Sequence, residues 1–172
     1  MAQERFIWSD FFSKKNHEEK SILHILKQNT LFHTLSGKEL ALVVKVVHLR
    51  HYEPSEQVFG QYERGLGMYM IAKGGVEIRV RSNKEKSGPE TLVASLDEGS
   101  FFGELALIEE SDRRTASAYA KGPTTLIGFF KPDLMDIIER KPEVGVKILM
   151  ELSRVLGKRL TETLDHAFKE KA

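Results

Sequence analysis

The sequence predicts an α+β fold, an antiparallel β-roll of the double-stranded, jelly-roll-like kind flanked by N-terminal and C-terminal helices. Three observations carry this prediction. Apolar residues near the start recur at the helical period, the region from Val58 to Lys131 breaks into short β-rich pieces separated by turn residues, and helical periodicity returns after Pro132.

The elements follow in order. Ile22, Leu23, Ile25 and Leu26 share one helical face, and Ser36 with Glu39 has the spacing of a capping box opening a second helix that runs from Leu40 to Val47. The run from Val43 to Tyr52 is β-branched enough to suit either state; the helix is placed to stop near Val47 and a strand to begin near His48. Strands are predicted at Met68 to Ala72, Val76 to Arg81, Thr91 to Leu96, Thr115 to Ala120 and Leu126 to Phe130. Lys73, Gly74 and Gly75 form the kind of tight turn that joins two antiparallel strands, and the polar loop from Ser82 to Pro89 joins the next pair. Pro132 suits a helix start, giving helices over Asp133 to Arg140 and Pro142 to about Lys171. With no internal repeat or low-complexity linker, the expected organisation is an N-terminal extension over 1–20 and one domain over 21–172. The aromatic cluster Phe6, Ile7, Trp8, Phe11 and Phe12 is expected to tuck onto the roll or to dock a partner.

Composition narrows the function classes. Hydrophobic residues at 41% and charged residues at 30% of 172 suit one cored domain, and a formal charge of +1 gives no global signature of a nucleic-acid binder. Any anion site must be local. Without cysteine there is no disulfide framework, zinc ribbon or thiol nucleophile, which fits a reducing compartment, and a cytoplasmic location is expected. No stretch approaches the ~20 apolar residues of a membrane span, and the first residues lack the pattern of a signal peptide.

The chemistry is concentrated between Phe102 and Ala116. Gly103 allows close approach of backbone to a ligand, and the amides of Glu104, Leu105 and Ala106 at a short helix start suit an anion. Arg114 offers a planar guanidinium to the same anion and Thr115 a hydroxyl. Glu104 is repelled by an anion unless it serves another group, and a sugar hydroxyl is its natural partner. Phosphate with ribose is a nucleotide.

The segments FGELALI and RRTA resemble the phosphate-binding cassette of the cyclic-nucleotide-binding domain family, which includes the catabolite activators and the regulatory subunits of cyclic-AMP-dependent kinase. The resemblance spans Ile22 to Ala167. It implies a helix-flanked β-roll that binds cyclic AMP or cyclic GMP, with no other cofactor. It also implies a phosphate arginine at Arg114, a ribose glutamate at Glu104, and amide donors at Leu105, Ala106 and Thr115, with Ala116 closing the cassette. By the same alignment Val93 and Ala94 line the base pocket, and Arg159 and Thr163 on the last helix cap the base. Thr115 does not decide between adenine and guanine. The implied protein is a regulatory receptor without enzymatic activity that signals through its terminal helices to an unidentified downstream protein partner.

Two positions depart from the family pattern. Tyr62 and Leu66 stand where it usually has a glycine and, later, an aspartate, which leaves open a protein-interaction module with an empty or altered pocket. A DNA-binding regulator is disfavoured because relatives of that kind append a helix-turn-helix domain and nothing follows Ala172 here. A cupin-like metalloenzyme is disfavoured as well: His48 and His51 fall on opposite faces of a strand, and the histidine-and-glutamate pattern of the metal-binding cupin barrels is not present. With neither a phosphate loop with lysine nor a nucleophile elbow, nothing in the sequence suggests phosphoryl transfer or hydrolysis. No metal is expected. The stripe Leu149, Leu152, Leu156, Leu160, Leu164 and Phe168 departs from a strict heptad, yet it is too long for one β-roll to cover and makes a homodimer through the last helix a possible assembly.

Overall fold

The computed structural model describes residues 18–81, 88–109 and 113–169. The first helix, α1, covers 18–28, crossing the boundary expected at residue 20. The N-terminal aromatic cluster and the polar loop residues 82–87 lie outside the described residues. Helix α2, Gly37–Val44, opens with the capping box: the Ser36 side chain accepts from the Glu39 amide and Glu39 reaches back to the Ser36 amide at 2.7 Å. It ends at Val44 and not at Val47, because Val46 and Val47 continue as turns bonded to Val43 before β1, His48–Tyr52, begins.

The described residues hold eight strands, β1 included, divided between two four-stranded antiparallel sheets: β2 is Gln57–Phe59, β3 Gly67–Lys73, β4 Gly75–Arg81, β5 Glu90–Asp97, β6 Phe101–Phe102, β7 Ser117–Ala120 and β8 Thr124–Phe130. The first sheet has the order β1-β8-β3-β6 and the second β2-β7-β4-β5. Consecutive strands therefore alternate between sheets at several points, the signature of a roll. The turn Lys73-Gly74-Gly75 does not close a hairpin as the sequence suggested. It carries the chain from the first sheet to the second, since β3 pairs with β8 and β6 while β4 pairs with β5 and β7. Gly74 takes φ 87°, and a Cβ there would lie 2.7 Å from the Pro123 carbonyl, so glycine is required for the crossing.

The period-two alternation of a strand explains how β3 and β8 serve two cores at once. Met68, Met70, Ile127 and Phe129 face the helices and pack with Leu26, Phe32, Leu40, Leu134 and Ile148. Ile71 and Leu126 point the other way, into the space between the sheets, with Val76, Phe102 and Ala118. Helix α3, Lys131–Arg140, begins where Asp133 accepts from the Phe130 amide at 3.0 Å. Helix α4, Pro142–Lys169, packs closely on α3 at Gly145, where a Cβ would strike Ile138. Its buried residues Val144, Ile148 and Leu152 fix the first half to the domain. The leucine stripe expected along this helix is divided by that packing. Leu149, Leu152 and Leu156 turn to the core, whereas Leu160, Leu164 and Phe168 are exposed.

Candidate ligand-binding site

Between β6 and β7 the chain builds a cavity of ≈ 350 Å³, within the range of small-molecule sites. Its apolar wall comes from Phe59, Ile78, Ala94 and Leu96, on the second sheet's inner side. The polar wall is the short 3-10 helix Glu104–Leu107 together with Arg114, Thr115 and Ala116, and Arg159 of α4 stands at its edge.

Gly103 opens the 3-10 helix at φ 76° and has no room for a side chain, because a Cβ would lie 2.5 Å from an Arg114 terminal nitrogen. Its carbonyl accepts from Arg114 Nη1 at 3.1 Å and from the Ala106 amide at 3.2 Å. The Ala106 amide is thus already engaged inside the turn. Arg114 is not on an exposed loop. It is 7% exposed, its guanidinium carbon lies 4.0 Å above the Phe59 ring, and its Nε is buried without a hydrogen-bond partner. Burial pulls its pKa below the ordinary guanidinium value, opposed by Tyr69, Glu104 and Glu63.

Glu104 is 6% exposed and forms no ion pair with Arg114. Its partner is Arg159, which also donates to the Phe101 carbonyl at 3.0 Å and lies 4.9 Å over the Phe101 ring. A carboxylate buried under one guanidinium, with a second buried guanidinium across the cavity, gives the site a cationic balance facing an apolar wall. That suits an anion carrying a hydroxyl and a flat apolar group.

Of the eleven residues singled out from the sequence, nine line this cavity: Gly103, Glu104, Leu105, Ala106, Arg114, Thr115, Ala116, Ala94 and Arg159. Two do not. Val93 is the extra residue of a β-bulge, since Ile78 is paired with Ala94 and Arg79 with Leu92, and the bulge leaves it 56% exposed. Thr163 is exposed and its hydroxyl donates to the Arg159 carbonyl one turn back in α4. Tyr62 and Leu66, which motivated an altered pocket, are both exposed and lie outside the cavity lining. Sequence reasoning missed Phe59, Ile78, Leu96, Phe101, Phe102 and Arg113. Leu96 was available from the alternation that begins at Ala94; Phe59 was not, because its three-residue strand carries too little periodicity. His48 packs against the Phe130 ring and lies 3.7 Å from Asp133, while His51 bonds to Thr125.

Comparison with known proteins establishes the family. The profile of the family described as cyclic nucleotide-binding domain matches residues 49–141, more than half of the chain and all of the cavity lining except Arg159. The chain belongs to the cyclic nucleotide-binding domain family. Within that family it is 32% identical over 137 residues to the cyclic AMP receptor protein of Thermus thermophilus, a match covering 80% of this chain and 60% of the relative. It is 33% identical over 124 residues to the cAMP-dependent protein kinase regulatory subunit of Mycosarcoma maydis, covering 72% of this chain and 23% of that one. The crystal structure of the Thermus thermophilus catabolite activator protein superposes with a TM-score of 0.70 at 29% identity, over 83% of this chain and 63% of the other. The chain thus spans only part of the length of these relatives. Among the described residues, no helix is long and apolar enough to cross a membrane.

Proposed function

We propose that this protein is a non-catalytic receptor for cyclic AMP or cyclic GMP, acting in the cytoplasm and relaying occupancy through α4 to a protein partner. The observation that carries this reading is the buried Arg114 guanidinium beside Gly103, with an unpartnered Nε and no carboxylate paired to it. A buried cation without an ion pair is costly unless a ligand supplies the counter-charge, and a phosphodiester anion supplies it in the planar geometry guanidinium prefers. Thr115 and the Leu105 amide add donors on the same wall. Glu104, turned toward Arg159, accepts from a ribose hydroxyl, and the base lies against Ile78, Ala94 and Leu96. Among the described residues the only carboxylate lining the cavity is Glu104, and it is held by Arg159, so no free base is in place to activate water for hydrolysis. The names of the two relatives support the ligand class.

Signalling follows from the Arg159 contact. Ligand that engages Glu104 changes the charge environment of the one α4 side chain lining the cavity and shifts the population of α4 positions, by no more than the ligand's differential affinity for them. A homodimer is proposed on a separate observation. Val146, Met150, Ser153, Gly157, Leu160 and Leu164 are all exposed on α4 at alternating spacings of four and three, the heptad pattern that the leucine stripe lacked. Small residues at its middle, Ser153 and Gly157, let a second copy of the helix approach closely.

Isothermal titration calorimetry with cyclic AMP, cyclic GMP and the linear monophosphates tests the reading. Saturable binding of a cyclic nucleotide, absent in Arg114→Met, is expected; absence of binding to every nucleotide would overturn it.

A further inference from the structure

We propose that Arg113 is a positioning residue. Its guanidinium holds the Tyr62 carbonyl and clamps the 60–65 loop against the backbone that presents Arg114, a role that rests on reading Arg114 as the phosphate partner. The loop begins as a four-residue turn closed by a bond from the Glu63 amide to the Gly60 carbonyl at 3.2 Å, and the Gly60 amide donates to the Glu63 carboxylate at 2.9 Å. Tyr62 occupies the third place of this turn at φ 70°. A turn with positive φ only at that place is of type II, and it favours glycine or asparagine there because a Cβ meets its own backbone. Tyrosine is a poor occupant and must be held.

What holds it is the segment carrying Arg114. The Tyr62 amide donates to the Arg114 carbonyl at 2.8 Å and the Arg114 amide to the Glu63 carbonyl at 2.9 Å. The remaining carbonyl of the unfavourable residue, that of Tyr62, accepts from Arg113 Nη1 at 3.1 Å, so both sides of Tyr62 are tied to adjacent residues of one strand entry. At the far end of the loop a Cβ on Gly65 would lie 2.7 Å from Arg114 Nε. The loop backbone is therefore a wall of the slot in which the guanidinium lies, and its drift changes where Arg114 points. Arg113 also lines the cavity, which makes direct contact with the ligand the competing role.

Three variants separate the two: Arg113→Ala, Tyr62→Gly and the double variant. Glycine adopts φ 70° without opposition, so a turn with glycine at 62 no longer depends on Arg113. Amide hydrogen exchange at Arg114 in the ligand-free protein and calorimetric affinity for cyclic AMP and cyclic GMP are the readouts. Arg113→Ala is expected to speed exchange about tenfold and weaken binding about tenfold, and adding Tyr62→Gly to restore both to within about threefold of wild type. Weakened binding with unchanged Arg114 exchange and no rescue by glycine assigns Arg113 to the ligand itself and overturns the proposal, as does an Arg113→Ala variant with neither change. A wild-type protein that binds neither nucleotide, with exchange responding as expected, would overturn the ligand reading and leave the clamp standing.

Discussion

The Arg114 guanidinium lies 4.0 Å above the ring of Phe59, so the cation assigned to the ligand phosphate is shelved on an aromatic face that the three-residue strand β2 supplies. The stacking substitutes weakly for the solvation lost on burial.

Two replacements at Arg114 divide charge from packing. Arg114→Met keeps most of the volume and removes a buried cation, so its thermal midpoint is expected to equal or exceed that of wild type while cyclic nucleotide affinity falls at least about 100-fold. Arg114→Lys keeps the charge and loses the planar fork and the stacked face, and a loss of about 10- to 100-fold is expected. Differential scanning fluorimetry and calorimetry check both. A methionine variant that binds like wild type would remove Arg114 from the site.

The apolar wall predicts a contrast along β5. Ala94→Leu intrudes on the cavity and is expected to abolish binding with a thermal midpoint within a few degrees of wild type, whereas Val93→Ala, on the solvent side of the bulge, is expected to leave affinity within about twofold. Equal effects at the two positions would show that the bulge does not persist in solution.

Removing Arg159 leaves Glu104 as a buried carboxylate with its ion-pair partner gone and an anionic ligand nearby. Arg159→Gln is expected to weaken cyclic nucleotide binding about tenfold and to accelerate amide exchange beyond residue 159 in the ligand-free protein. Faster exchange confined to residues before 159 would contradict the anchoring role.

Glu39 joins α2 to α4 through Lys147 at 2.7 Å, and this hydrogen bond, with those from Ser36, lowers its pKa from 4.5 to about 2. A carboxyl group whose pKa is depressed by folding contributes stability that is complete above its unfolded value and is lost as pH falls from about 4.5 toward about 2. Glu39→Gln keeps an amide oxygen for the Ser36 cap and removes the charge. Denaturant titrations are expected to show it less stable than wild type at pH 7, with the difference shrinking steadily through that acid window. A constant difference at all pH values would assign the effect to packing.

Leu160 and Leu164 lie on the exposed four-and-three seam of α4. If the seam pairs with a second copy, sedimentation equilibrium of the wild type is expected to give a dimer and Leu160→Glu a monomer, with nucleotide affinity per chain within about threefold. A monomeric wild type at high micromolar concentration would dismiss the pairing.

The site was more legible in the sequence than the sheet connections were. Gly103, Glu104 and Arg114 lie close along the chain, and their chemistry is fixed by residue type, so a local segment was enough to bring them to one cavity. The crossing at Gly74 was misassigned because two glycines after a strand serve a hairpin and a sheet-to-sheet passage equally well, and only the distant partners Phe101 and Thr125 of β3 distinguish them. Strands β2 and β6, of three and two residues, are too short to carry a period and are held in place by their neighbours. On α4 two apolar faces overlap, and the leucines alone trace a line that crosses from one to the other. Which face was inward depended on Val144 and Ile148 meeting the core, a fact of tertiary packing.

If α4 relays occupancy, the part of it beyond Arg159 would serve as a lever. Leu156 is the last of its leucines to touch the core, Arg159 rests on the cavity, and the helix then runs ten further residues to Lys169, about 15 Å at 1.5 Å per residue. Pivoted at the cavity mouth, a tilt of about 10° would carry the tip through about 2.5 Å. Any surface seated against Leu160, Leu164 and Phe168 would thus receive an amplified copy of a small movement made at Glu104.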